Sequence, residues 1–130
     1  MATVTITDQT TSGETTNELT LDFLDERVTV RELIRARVYQ EVAEYNARRP
    51  ETFRGLVQPT DAERVLNGYR LKQPRKVDWE AQYDRALRAF TGNGFLLLVD
   101  DRQLRDLDEV VELRHSTRVT FLKLVPLVGG

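Results

Sequence analysis

The chain has no cysteine, only one histidine and no glycine-rich motif. Without thiols it cannot form disulfides, bind metals through thiolates or use a cysteine nucleophile. Neither Gly-x-Gly-x-x-Gly nor a P-loop sequence occurs, so the usual phosphate-binding loops are missing. We therefore predict a protein that is not itself an enzyme and that holds no metal and no cofactor.

Long apolar runs and a dominant charge are missing as well. The apolar runs are far shorter than the ~20 residues that span a bilayer, and the polar N-terminus has no signal-peptide pattern. Charged residues make up 31% of the chain and leave a net charge of only −2. Since such a balance attracts neither nucleic acid nor anionic lipid, we expect the protein to bind neither nucleic acid nor membrane. The absence of cysteine suits a reducing cytoplasm, where we expect the protein to be located.

The N-terminal half has the pattern of two strands and a helix. A length of 130 residues with 40% apolar content suits a single domain over 1–130. Alternation with a period of two predicts strands at Thr3–Thr7 and Leu19–Phe23, joined by a long polar loop over Asp8–Asn17. Thr29, which stands three residues before Glu32, forms a capping box that begins a helix. One side of this helix is an apolar stripe: Val30, Leu33, Ile34, Val38, Val42 and Tyr45, with Glu41 outside it.

The segment 51–94 is interpreted as a helical insertion before the third strand. Thr60 and Glu63 form a second capping box, and Gly68 is placed to end a short helix. Asp78 predicts the start of another helix, which Asn93-Gly94 ends. The apolar side chains on one face of this second helix either pack it onto the domain or form a cradle for a ligand: Trp79, Tyr83, Ala86, Leu87 and Phe90.

The C-terminal segment contains two further apolar runs, Phe95–Val99 and Val119–Leu124. We expect both to be strands, with a very short strand at 102–104 between them. Leu107, Val110 and Val111 are predicted to form a helical turn into the core.

Polar residues in this segment do not form a recognisable catalytic or metal site. His115 precedes the last strand, where we expect a solvated turn residue rather than a general base. The carboxylates between 100 and 109 lack the glycine and terminal glutamate of a calcium loop, so we expect a solvated acidic turn. They are Asp100, Asp101, Asp106, Asp108 and Glu109.

Residues 95–130 carry the most specific pattern: an acidic turn, an apolar turn, Ser116-Thr117, a strand and a terminal Gly129-Gly130. This run resembles the C-terminal half of ubiquitin and its relatives, and residues 3–46 agree with the N-terminal half. The ending is also similar to that of the small sulfur carriers of molybdopterin and thiamine synthesis. The resemblance implies an α+β, ubiquitin-like β-grasp, in which a mixed sheet carries one main helix and the last strand lies centrally, parallel to the first.

The resemblance also implies a function for the terminus. In a ubiquitin-like modifier, an activating enzyme with ATP converts Gly130 to an adenylate and a thioester, and Gly129 lets the tail enter enzyme channels. A conjugating enzyme then joins it to target proteins. The chain is most similar to bacterial ubiquitin-like proteins encoded with these enzymes and with a JAB-type deconjugating protease, in systems linked to defence against phage. The two alternatives are a sulfur carrier with a C-terminal thiocarboxylate and a ubiquitin-like module that only binds a partner.

The tail itself and the strand before it complete the prediction. We expect a flexible segment over 125–130, because its last residues have no partner strand. Before the two glycines it consists of Val125, Pro126, Leu127 and Val128. We place Val119 and Phe121 of the last strand inward, which leaves Leu122 and Leu124 as an exposed docking patch beside the tail.

Overall fold

A computed structural model describes residues 1–66 and 68–124 of the protein. The described part is an α+β structure with a mixed five-stranded sheet and two helices. The chain divides into two compact units: residues 1–30 together with those from 90 onward, and residues 31–89. We call them the sheet unit and the middle unit. The predicted tail, 125–130, lies outside the described residues.

In chain order the elements are β1 (Ala2–Thr10), β2 (Thr15–Phe23), β3 (Arg27–Thr29), α1 (Val30–Arg48), β4 (Ala62–Val65), β5 (Gly68–Leu71), α2 (Trp79–Thr91), β6 (Phe95–Val99), β7 (Arg102–Leu104), β8 (Val110–Glu112) and β9 (Arg118–Lys123). The five-stranded sheet has the order β2-β1-β9-β6-β7. Only β1 and β9 run parallel, with Ile6 opposite Val119, and the other neighbours are antiparallel. The predicted central position of the last strand, parallel to the first, is confirmed.

The first two strands bury most of the side chains that their alternation predicts. Val4, Ile6, Leu21 and Phe23 are buried, whereas Leu19 is only half-buried. One face of the sheet is therefore apolar from Ala2 to Ile6 of β1 and at the end of β2 that lies beside these residues.

The loop between β1 and β2 is shorter than we predicted. The prediction of a long loop over Asp8–Asn17 is wrong, because the ladder continues as far as the pair of Gln9 and Thr15. Polar side chains suit these positions because β2 is an edge strand with one solvated face, and threonine favours extended backbone. Gly13 has a φ of 88° and its N–H donates to the Thr10 carbonyl at 2.9 Å, which closes the turn.

Residues 107–111 also differ from the prediction. The helical turn expected at Leu107, Val110 and Val111 is wrong, since Val110–Glu112 is the strand β8, antiparallel to β3. Val111 is buried while Val110 is 47% exposed, as in a strand. Two adjacent β-branched side chains fit a strand better than a helix, and β3 provides a backbone partner.

Helix α1 buries the whole predicted stripe, and two charged side chains beside it. Arg37 is fully buried and Glu41 is 8% exposed, so the prediction that Glu41 lies off the buried face is wrong. The physical reason is an ion pair one helical turn apart, with Arg37 Nε donating to Glu41 Oε2 at 3.1 Å. Both oxygens of Glu41 also lie within 3.2 Å of the Leu56 N–H, which donates to them.

The segment 51–94 is only partly helical. The helix predicted from Thr60 to Gly68 is wrong, because β4 and β5 form an antiparallel hairpin there. A helix of two turns is marginal without strong packing, whereas the hairpin gains a further backbone partner through the bridge between Phe53 and Tyr69. Across the hairpin, Glu63 accepts a hydrogen bond from Arg70, and this bond raises the pKa of the Arg70 guanidinium above its usual value.

Helix α2 begins and ends where predicted. Asp78 Oδ1 accepts from the Glu80 N–H at 3.0 Å, and Asn93 has a φ of 59° just beyond the last turn. Its Trp79 ring lies edge-on to Tyr39 of α1, with centroids 5.3 Å apart. Within the middle unit, Trp79 of this stripe therefore contacts α1.

Candidate partner-binding surface at the end of β9

The predicted activation residues Gly129 and Gly130 lie outside the described residues, as do Val125, Pro126, Leu127 and Val128. What the structure describes is the surface from which this segment extends. It is formed by the end of β9, which has β1 on one side and β6 on the other.

The inward face of β9 belongs to the core of the sheet unit. Val119 and Phe121 are fully buried, as predicted. The Phe121 ring lies 5.7 Å from that of Phe95, which in turn lies 5.9 Å from that of Phe90. This aromatic row, together with the backbone ladders on both sides, fixes the strand up to its last residues.

The last residue of β9 is held by an ion pair. Lys123 Nζ lies 3.8 Å from Asp8 Oδ2, and Asp8 is fully buried. Sequence reasoning missed this contact because it placed Asp8 in a loop. The available signal was that Asp8 continues the inward positions of the alternating strand. An acid buried at such a position requires a charged or hydrogen-bonding partner. The pair stabilises the point at which the chain leaves the sheet.

The opposite face of β9 presents leucines. Leu122 is half-buried and Leu124 is 38% exposed, so the predicted patch is exposed at Leu124 and partly covered at Leu122. In register, Leu122 lies beside Leu96 of β6, and Leu98 lies one row further along, beside Thr120. Both β6 leucines are half-buried. We call Leu96, Leu98, Leu122 and Leu124 the leucine face.

Uncharged polar residues border the leucine face. Gln9 of β1 lies opposite Leu122, and Thr7 lies opposite Thr120. Beyond β6, Gln103 of β7 lies beside Leu98. An apolar patch bordered by polar residues is suited to contact with another protein surface. The sequence signal for Leu96 and Leu98 was the uninterrupted apolar run of β6, which puts leucines on both faces of one strand.

The acidic residues between 100 and 109 have structural partners. Asp100 and Asp101 both have positive φ in the two-residue turn between β6 and β7. Asp100 Oδ1 accepts from the Arg118 N–H at 2.9 Å, which ties this turn to the beginning of β9. Asp106 Oδ1 accepts from the Asp108 N–H, also at 2.9 Å.

Other catalytic and ligand-binding features are few in the described part of the chain. His115 is exposed in the turn before β9, as expected. Over residues 1–66 and 68–124, no three His, Asp or Glu side chains are grouped so that they could hold a metal ion. Neither described helix is long and apolar enough to cross a membrane.

No protein-family model, no curated protein and no solved structure matches this chain.

Proposed function

We propose that the protein is a ubiquitin-like modifier with a β-grasp fold, activated at Gly130 and conjugated to cytoplasmic target proteins. In this proposal a partner enzyme uses ATP to form an adenylate and then a thioester at Gly130, and a conjugating enzyme transfers it to an amine. A JAB-type protease reverses the reaction. The pathway proposed is a bacterial one that acts in defence against phage.

One observation carries the proposal, namely the position of β9. The strand that precedes the C-terminal segment lies at the centre of the sheet, parallel to β1. This is the arrangement that the resemblance to ubiquitin implies, and the order β2-β1-β9-β6-β7 supports a β-grasp. It also has a chemical consequence, because a firmly held strand can present a following segment to an enzyme without loss of fold.

The chain supplies no nucleophile for its own activation in this scheme. A carboxylate is a poor electrophile, so an amide bond at Gly130 requires prior activation by another protein. Gly129 has no Cβ, so the backbone next to the reacting carbonyl can pass through a narrow channel. The protein is then the substrate of the chemistry.

The test is to identify conjugates in the native host by mass spectrometry. Trypsin cleaves after Lys123, so a conjugated target lysine should carry the remnant Leu-Val-Pro-Leu-Val-Gly-Gly, residues 124–130. We expect this remnant on lysines of other proteins, and its loss when Gly130 is deleted. The deletion variant must keep the thermal midpoint of the wild type for this comparison to be valid.

The same experiment separates the sulfur carrier from the modifier. A sulfur carrier would show no remnant on lysines, and its intact mass would instead show sulfur in place of one terminal oxygen. A finding of the thiocarboxylate alone would contradict the modifier proposal.

A pure binding module is the second candidate, and the leucine face is the observation that favours it. Leu122→Ser combined with Leu98→Ser removes apolar area from this face while leaving the inward residues in place. If the protein acts only by binding, this variant should lose its partner in a pull-down, whereas deletion of Gly129 and Gly130 should have no effect. A modifier should instead lose activity on deletion of Gly130 and keep non-covalent binding.

A further inference from the structure

A small cleft of about 100 Å³ lies in the sheet unit where α2 ends and β6 begins. Its apolar wall is formed by Phe90, Phe95 and Leu104, all of which are buried. Gln103 of β7 and Arg105, which follows β7, also line it. The cleft thus combines buried apolar side chains with accessible polar groups.

The backbone beside the cleft has an open side. β6 pairs with β9 along its full length, from Phe95 to Val99, but its pairing with β7 begins only at Leu97. Within the described residues, Phe95 and Leu96 therefore have a neighbouring strand on one side only. β7 is itself the edge of the sheet. An extended segment can add to such an edge through main-chain hydrogen bonds.

The mouth of the cleft carries a positive charge without a carboxylate partner. Arg105 is exposed and forms no ion pair with any carboxylate of the described residues. Three other arginines of the sheet unit do form such pairs: Arg102 with Glu109, Arg114 with Glu112 and Arg118 with Asp101.

The amide of Gln103 lies close to the Arg105 guanidinium. Arg105 Nη2 donates to Gln103 Oε1 at 3.4 Å, which leaves the amide N–H groups of Gln103 as donors for a ligand. The adjacent carboxylate of Asp106 already accepts from the backbone of Asp108. Guanidinium and amide N–H groups together are suited to a carboxylate, which arginine binds through two parallel hydrogen bonds.

From these observations we infer that the cleft binds an extended peptide segment of a partner protein that carries an acidic side chain. The peptide backbone pairs with the open side of Phe95–Leu96, and the carboxylate binds Arg105 and the Gln103 amide. This site is independent of the activity proposed for Gly130, so removal of Gly129 and Gly130 leaves it unaffected.

The test uses two synthetic peptides that differ in one group: acetyl-Thr-Val-Glu-Val-Thr-amide and the same peptide with Gln in place of Glu. Each is titrated into the isotope-labelled full chain, and the backbone amides are followed by NMR. We expect the Glu peptide to shift the amides of Phe95, Leu96 and Gln103. The Gln peptide should bind at least tenfold more weakly, because a neutral amide cannot form charge-assisted hydrogen bonds with the guanidinium.

The matched variants are Arg105→Gln and Arg27→Gln. Arg27 is also exposed in the sheet unit but lies on β3, in a different sheet. We expect Arg105→Gln to lower the affinity for the Glu peptide about tenfold, to that for the Gln peptide. Arg27→Gln should leave the affinity unchanged. The comparison of the two peptides on the unmodified chain requires no variant and so does not depend on how a variant folds.

Three results would overturn the inference. Equal binding of the two peptides would exclude recognition of the carboxylate. Shifts confined to Thr120 and Leu122 would place the peptide on the leucine face. If deletion of residues 125–130 alone shifts the cleft amides and strengthens peptide binding, then the occupant is the C-terminal segment of this chain and not a partner.

Discussion

The sheet unit and the middle unit satisfy the hydrogen-bonding groups of their backbones in different ways. In the sheet unit long strands satisfy one another's backbone groups through regular ladders, as in the nearly continuous pairing of β1 with β2. The middle unit has an irregular backbone between its short hairpin and its helices, and there buried side chains serve as backbone partners. Glu41 accepts from the Leu56 N–H, and Gln82 Nε2 donates to the Val57 carbonyl at 3.0 Å.

Asn46 shows this difference most clearly. Its amide makes two hydrogen bonds with one residue of the loop before α2, since Nδ2 donates to the Val77 carbonyl and Oδ1 accepts from the Val77 N–H, both at 2.9 Å. A peptide group of a neighbouring strand would make the same pair of bonds. Where regular secondary structure is lacking, the side chains must complete the hydrogen bonding of the buried backbone. The stability of the middle unit should therefore depend more on its buried polar side chains than that of the sheet unit does.

The largest expected effect comes from placing a charge in each core. Ile34→Asp in the middle unit and Phe121→Asp in the sheet unit each bury an unpaired carboxylate at a position that is fully buried. The cost is on the order of 5 kcal/mol, comparable to the stability of a whole domain.

Both variants should lose their thermal transition in circular dichroism, whereas Glu44→Asp, on the exposed side of α1, should retain it. NMR then distinguishes whether the units unfold together. Dispersed amide signals from β1 and β9 in Ile34→Asp would show that the sheet unit folds alone. An unchanged thermal midpoint in either variant would contradict the assignment of that core.

A smaller loss is expected from Glu41→Ala. The substitution removes the acceptor of the Leu56 N–H and the carboxylate partner of the buried Arg37. We expect a loss of about 3–5 kcal/mol, the usual result of removing one partner of a buried ion pair. Urea unfolding measures it, and Glu44→Ala serves as the control because Glu44 is exposed on the same helix. Equal urea midpoints for the two variants would mean that the buried carboxylate of Glu41 does not stabilise the fold.

The smallest effect is expected from Asn46→Ala, with a loss of about 1–3 kcal/mol because the Val77 backbone loses both partners. Asn46→Asp is the sharper variant, since a carboxylate still accepts from the Val77 N–H but cannot donate to its carbonyl. The free energy of unfolding of Asn46→Asp in urea should lie between those of the wild type and of Asn46→Ala. Hydrogen exchange of the Val77 amide should accelerate in Asn46→Ala and much less in Asn46→Asp. Unchanged exchange in the alanine variant would contradict the role given to this side chain.

Sequence reasoning succeeded where the pattern within one segment is enough to predict its structure. The apolar stripe of α1 follows from its helical period, and β6 follows from an uninterrupted run of strand-forming residues. The inward residues of β9 follow from their continuity with the apolar set of the core. It failed at short segments whose form depends on a distant neighbour. Val110–Glu112 became a strand because β3 lies beside it, and Ala62–Val65 because it pairs with β5, whose Tyr69 also bridges to Phe53. Local propensity does not show which strands pair with one another.

The candidate surface was predictable to a similar extent. Val119 and Phe121 were predicted to lie inward because they continue the apolar set of the core, and the alternation of the strand then places Leu122 and Leu124 on the other face. The contribution of Leu96 and Leu98 requires the register between β6 and β9, which no short window of sequence contains. The pair of Asp8 and Lys123 joins the two ends of the chain, so it could only be found once β1 and β9 were known to be neighbours.

The pairing of β1 with β9 also constrains how the protein can fold during synthesis. The β1–β2 hairpin leaves the ribosome first, but its inner edge has no neighbour until Arg118–Lys123 has emerged. Closing so long a loop costs conformational entropy before any contact is gained, which makes folding slow. Until then the β1 edge is open to pairing with other chains, as is the β6 edge that β9 later covers. A nascent chain stalled before β9 should therefore be the form most prone to aggregation and most dependent on chaperones.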